Sequence, residues 1–98
     1  MNYLHQYFKN SRIHDYKLYN ISVDYSNQTI IMVFKNLSNC IEEIKINNFL
    51  YFSITNKKEW GIGDYVVFSD SYKNNDIITI EIQLNSGDMC KIRYCILQ

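Results

Sequence analysis

The side chains best able to do covalent or metal chemistry in this chain are two histidines and three cysteines: His5, His14, Cys40, Cys90 and Cys95. A nucleophilic site needs a thiol or hydroxyl beside an imidazole that a carboxylate orients. His14 and Asp15 are adjacent, so one enzyme reading is a small hydrolase using His14 with a cysteine. Neighbours in sequence do not make a triad, however, and none of the local signatures of cysteine or serine hydrolases surrounds the three thiols. A closed zinc site wants four Cys or His ligands in close pairs. Cys90 and Cys95 have opposite parity, so on one strand they face opposite sides and do not share a metal. The expectation is therefore no catalytic residue, no metal and no cofactor. The cysteines read as small buried hydrophobes of a reducing compartment, with Cys90 in the core and Cys95 on the other face.

Two further fragments invite chemistry. Gly61-Ile62-Gly63 is a piece of the glycine-rich phosphate loops, but those lead from a strand into a helix N-terminus, and here Tyr65 to Phe68 are β-formers. A tight turn or bulge is the better expectation. Glu42-Glu43 is an adjacent acidic pair, whereas acid–base work needs two carboxyls converging from separate elements.

What remains is a binding surface. Between Glu59 and Tyr72 the aromatic residues Trp60, Tyr65, Phe68 and Tyr72 alternate with Asp64 and Asp70. Trp and Tyr dominate protein-binding hot spots, and acidic groups select partners by charge. The candidate partner-binding set is Glu59, Trp60, Asp64, Tyr65, Asp70 and Tyr72. The alternative for Trp60 is that it plugs a small core.

Something must position these residues, and the alternation of apolar and polar residues shows what. Ile78, Ile80, Ile82 and Leu84 alternate with Thr79, Glu81 and Gln83, the period of a half-buried strand. Asn85-Ser86-Gly87-Asp88 turns the chain, and Cys90, Ile92, Tyr94 and Ile96 continue the pattern against Lys91 and Arg93, which makes a β-hairpin. An earlier hairpin places Tyr19, Ile21, Val23 and Tyr25 on one side and turns at Ser26-Asn27-Gln28. Its second arm, Ile30 to Phe34, is apolar on both faces, which predicts a central strand covered on both sides. From Ile41 to Ile54 the even positions Ile44, Ile46, Leu50, Phe52 and Ile54 are apolar, interrupted at Asn47-Asn48 by a bend or bulge. Tyr65 to Phe68 is another β-rich run. Tyr3, Leu4, Tyr7 and Phe8 fall at helical spacing and suit a short N-terminal helix capping one end of the sheet.

The fold class expected is all-β: an antiparallel sandwich or curled sheet of about six to seven strands, as one domain over residues 1–98. Hydrophobic residues make up 47% of the chain and charged residues 20%, a balance that folds without help. Ten basic and ten acidic residues cancel, which argues against nucleic acid, whose binders carry a cationic surplus. No run approaches the apolar length of a membrane span, and the first twenty residues lack a signal-peptide core, so a cytoplasmic, membrane-free protein is expected. The absence of Pro and the crowding of Asn, Ile, Lys and Tyr match AT-rich codons and hint at a bacterial source. A homodimer through a strand edge, for which Met89 to Leu97 is the candidate, is a structural alternative.

The chain resembles the small bacterial immunity proteins encoded beside polymorphic or contact-dependent toxins. The residues concerned are His14-Asp15 followed by Leu18 and Ile21, the run Phe49-Leu50-Tyr51-Phe52, Trp60-Gly61, and the closing Ser86-Gly87 hairpin. The resemblance implies a non-enzymatic inhibitor that binds a cognate toxin domain and blocks its active site. A neutral net charge departs from the acidic character common in inhibitors of nucleases.

Overall fold

A computed structural model describes residues 3–55 and 64–96. Among them lie a helix α1 (Tyr3–Phe8), a tight turn over Lys9–Ser11, and seven strands: β1 (Lys17–Asp24), β2 (Thr29–Lys35), β3 (Ile41–Asn47), β4 (Phe49–Ile54), β5 (Val66–Asn74), β6 (Ile77–Leu84) and β7 (Met89–Cys95). Every strand pairing is antiparallel, in a three-stranded sheet of order β1-β2-β3 and a four-stranded sheet of order β4-β7-β6-β5. The expected class and the expected N-terminal helix are both present. Polar residues 56–59 and Trp60 to Gly63, where a loop and a glycine turn are expected, lie outside the described residues.

The inner faces of the two sheets supply one core. Ile30, Met32 and Phe34 of β2, Ile44 and Ile46 of β3, Ile78, Ile80 and Ile82 of β6, and Ile92 of β7 are all buried in it. This is the period of two made physical, since alternate side chains of each strand leave water together. A helix of six residues has no stability of its own. It is held because Tyr7 and Phe8 are buried against Phe34, with ring centroids 6.1 Å from it in both cases. The Tyr7 hydroxyl donates to Glu42 Oε1 at 2.6 Å and the Asn36 amide donates to Glu42 Oε2 at 2.7 Å. Those bonds, Asn36 first and Tyr7 second, hold the Glu42 carboxyl below its ordinary range.

The same N-terminal segment closes the free edge of β5, and sequence alone gave no hint of that. Asp15 N–H donates to Val66 O and Val66 N–H donates to Tyr16 O. Further along, the Ser11 hydroxyl takes the place of a neighbouring strand: it accepts from Ser69 N–H at 3.2 Å and donates to Ser69 O at 3.3 Å. Lys9 Nζ donates to Ser71 O, and the buried Ser69 hydroxyl donates to Phe8 O at 2.8 Å. An exposed strand edge is a template for unwanted pairing, and here local side chains occupy it. Ser69→Ala should destabilise the fold by about 1 kcal/mol by removing the buried hydrogen bond to the Phe8 carbonyl, measurable as a lower urea midpoint at unchanged m-value.

Several expectations are corrected, each by one residue of backbone irregularity or by an unforeseen neighbour. Tyr19 sits in a bulge of β1, so that Leu18 pairs Phe34 and Asn20 pairs Val33. The extra residue puts Tyr19 out of step with Ile21 and Val23, where uninterrupted alternation placed them together. Asn48, at φ 58°, breaks the long run 41–54 into two strands in different sheets. Parity then flips: Phe49 is buried while Leu50 is exposed. β2 is central in its sheet as expected, but only one face is deeply covered, Ile31 and Val33 being half-buried. β7 lies between β4 and β6 and bonds to both, so Met89–Cys95 is not an edge through which copies could pair. Of the cysteines, Cys90 is buried, Cys95 is half-buried, and Cys40 is exposed rather than buried because it ends the β2–β3 turn.

Candidate functional site: the outer face of the four-stranded sheet

Directly paired residues of an antiparallel sheet share a face, so the registers of β4, β7, β6 and β5 lay out the solvent-facing side as rows. One row crosses all four strands as Tyr51, Arg93, Thr79 and Tyr72. Beside it runs Ser53, Lys91, Glu81 and Asp70, and then Met89, Gln83 and Phe68. Tyr51 is 42% exposed, Tyr72 46% and Phe68 37%. Two tyrosines thus stand at opposite ends of one row, with Arg93 and Thr79 between them.

The charges are zoned. Asp70 and Glu81 face each other on β5 and β6, while Lys91 and Arg93 occupy β7. Lys91 Nζ lies 3.9 Å from Glu81 Oε2, and the Arg93 guanidinium lies 5.2 Å above the Tyr51 ring. Such contacts at an exposed surface orient side chains more than they stabilise the fold. Asp70 accepts from Ser71 N–H at 2.8 Å and from Asn10 N–H at 3.3 Å. The Ser71 bond is the main reason its carboxyl titrates below its ordinary value. Tyr72 is pushed the other way, by shielding from water and then by the negative charges of Asp70 and Glu81. Hydrogen bonds from the phenol towards Glu81 and Asp70 act in the same direction, so it stays protonated.

The expected contact set does not gather into one patch. Asp70 and Tyr72 lie on this face. Asp64 and Tyr65 lie at the corner where β5 meets β1: Asp64 Oδ2 is 3.5 Å from Lys17 Nζ, and its carbonyl accepts from Leu18 N–H at 2.7 Å. Glu59 and Trp60 lie outside the described residues. Sequence reasoning missed Tyr51, Glu81, Lys91 and Arg93 as members of the face. Outward parity was readable for β6 and β7, but nothing in the sequence announced that β4 pairs with β7, forty residues away.

Residues tested for chemistry fall elsewhere. His14 Nδ1 and Asp15 Oδ2 are 3.3 Å apart with both side chains largely in solvent. Burial pushes the Cys90 thiol up to about 12, which keeps it protonated and unreactive near neutrality. His5 Nδ1 and Ser71 Oγ share a 2.6 Å hydrogen bond, with Ser71 fully buried. Among the described residues no group of three His, Cys, Asp or Glu side chains could hold a metal ion, and no helix is long and apolar enough to cross a membrane. Compared with protein-family models and with curated proteins, the chain matches none.

Proposed function

We propose that this chain is a non-catalytic binding protein of the immunity type, a cytoplasmic inhibitor that captures one cognate toxin domain on the outer face of its four-stranded sheet. The observation that carries this reading is the row Tyr51, Arg93, Thr79, Tyr72 with its flanking charges. Tyr and Arg are enriched where binding energy concentrates, because each offers a large, stiff contact area with a polar end. A regular sheet holds them at fixed spacing, so little side-chain order has to be gained when a partner docks. Zoned acid and base then act on orientation and association rate, and reject partners of the wrong pattern.

The loose likeness to immunity proteins supplies the kind of partner, and the reading frame beside the gene supplies a test. Its product should arrest growth when expressed alone, be harmless when co-expressed with this chain, and co-purify with it. A neighbouring product that neither kills nor binds overturns the reading.

A further inference from the structure

We propose a second site, separate from the sheet face: the cleft beside Lys17 and Lys35 binds a carboxylate. Lys17 and Lys35 are direct cross-strand partners, so two ammonium groups project side by side from the outer face of β1 and β2. Like charges in that position repel. They are kept together by the Tyr19 ring, which the β1 bulge brings out of step; Lys17 Nζ lies 5.1 Å and Lys35 Nζ 5.9 Å from its centroid. Lys17 is offset by Asp64 at 3.5 Å. Among the described residues no carboxylate lies within ion-pair distance of Lys35.

A cleft of about 210 Å³ is lined by Lys17 and Lys35 among others. One wall is the β2–β3 turn, contributing Asn36, Leu37 and Asn39; the other carries Tyr65 and Asp15. That turn is built before any ligand arrives. Asn36 Oδ1 accepts from Ser38 N–H at 2.9 Å and Cys40 N–H at 3.0 Å, while Asn36 N–H donates to Cys40 O. Tyr65 is fixed as firmly, exchanging bonds with Asn85 through its backbone N–H and carbonyl. The site therefore offers two ammonium donors between two rigid walls, the arrangement that makes charge-assisted hydrogen bonds to an oxyanion worthwhile.

The acids present choose the anion. Asp64 stands behind Lys17 and offsets its charge, which leaves Lys35 as the cation to be met, while Asp15 lines the cleft and limits how much negative charge can be added. A singly charged carboxylate adds the one negative charge that Lys35 lacks. A phosphate dianion brings a second, which Asp15 opposes.

Amide chemical shifts of the full chain, at pH 7 and constant ionic strength, test this with three probes: sodium acetate, sodium phosphate and the blocked peptide acetyl-Ala-Glu-Ala-amide. Saturable shifts at Asn36, Asn39 and Tyr65 are expected with a carboxylate probe, and weaker binding with phosphate. Saturation by acetate identifies a small carboxylic acid as sufficient; saturation by the peptide alone identifies an acidic side chain of a protein. Lys35→Gln should weaken the carboxylate probe by about tenfold, since a bond to a charged group is lost, while Lys35→Arg retains it and both variants melt as the parent does. Asp15→Asn should raise phosphate affinity towards that of the carboxylate. Failure of both carboxylate probes to saturate, tighter binding of phosphate, or an undiminished Lys35→Gln overturns the proposal. None of these outcomes bears on the outer sheet face.

Discussion

Phe34→Ala is expected to cost about 3–5 kcal/mol of stability, the range for removing a fully buried aromatic ring from a packed interior. Phe34 has no exposed surface and stands where two parts of the chain meet: β2, which carries it, and α1, whose Tyr7 and Phe8 rings pack against it tilted and edge-on. Its loss leaves a cavity under the helix. For a domain of this length the melting temperature should fall on the order of 20 °C. Urea denaturation followed by fluorescence and circular dichroism measures it. A loss below about 1 kcal/mol would mean that α1 is not clamped by this contact. Tyr25→Ala serves as the control: Tyr25 is 85% exposed and its truncation should change stability by less than about 0.5 kcal/mol.

Alkaline destabilisation driven by Cys90 is the second large effect. Burial raises its thiol from 9.0 to about 12 in the folded protein, while in the unfolded chain it titrates near its ordinary value. Between those pH values the unfolded chain has released a proton that the folded protein still holds, so folding is penalised as pH rises. The stability is fully present below about pH 9 and falls by about 1.4 kcal/mol per pH unit towards pH 12, about 4 kcal/mol in all. Tyrosine ionisation adds to the same trend, which makes the comparison with Cys90→Ala decisive. That variant loses packing at every pH, but its stability should decline less steeply above pH 9. Parallel declines for parent and variant would show that Cys90 is not the titrating group.

The hairpin of β6 and β7 was legible because Ile78, Ile80, Ile82, Cys90, Ile92 and Tyr94 keep strict parity and Gly87, at φ 90°, sits where the turn needs a left-handed residue. Elsewhere parity was broken by backbone features that leave little trace in residue types. The bulges at Tyr19, Leu50 and Val67, and the left-handed Asn48, each shift the pattern by one residue. Asn tolerates positive φ better than most residues, and Asn47-Asn48 was the single advance signal among the four. The candidate face was half legible for a related reason. Asp70 and Tyr72 were found from the aromatic and acidic spacing of their own strand, but Tyr51 and Arg93 joined them through a long-range pairing. The closure of the β5 edge by Ser11 and the turn before it depended on two serines whose roles are visible only in three dimensions.

Capture of a partner protein by the row from Tyr51 to Tyr72 is tested most directly by isothermal titration of the neighbouring reading frame's product into the parent chain, Tyr72→Ala, Arg93→Ala and Tyr25→Ala. Tyr25 follows β1 of the other sheet and is the control for a surface aromatic outside the face. The expected result is a loss of roughly thirtyfold in affinity for Tyr72→Ala and for Arg93→Ala, parent-like affinity for Tyr25→Ala, and parent-like melting for all three. Parent-like binding by both Tyr72→Ala and Arg93→Ala, with the loss confined to Tyr25→Ala, would contradict the assignment of this face.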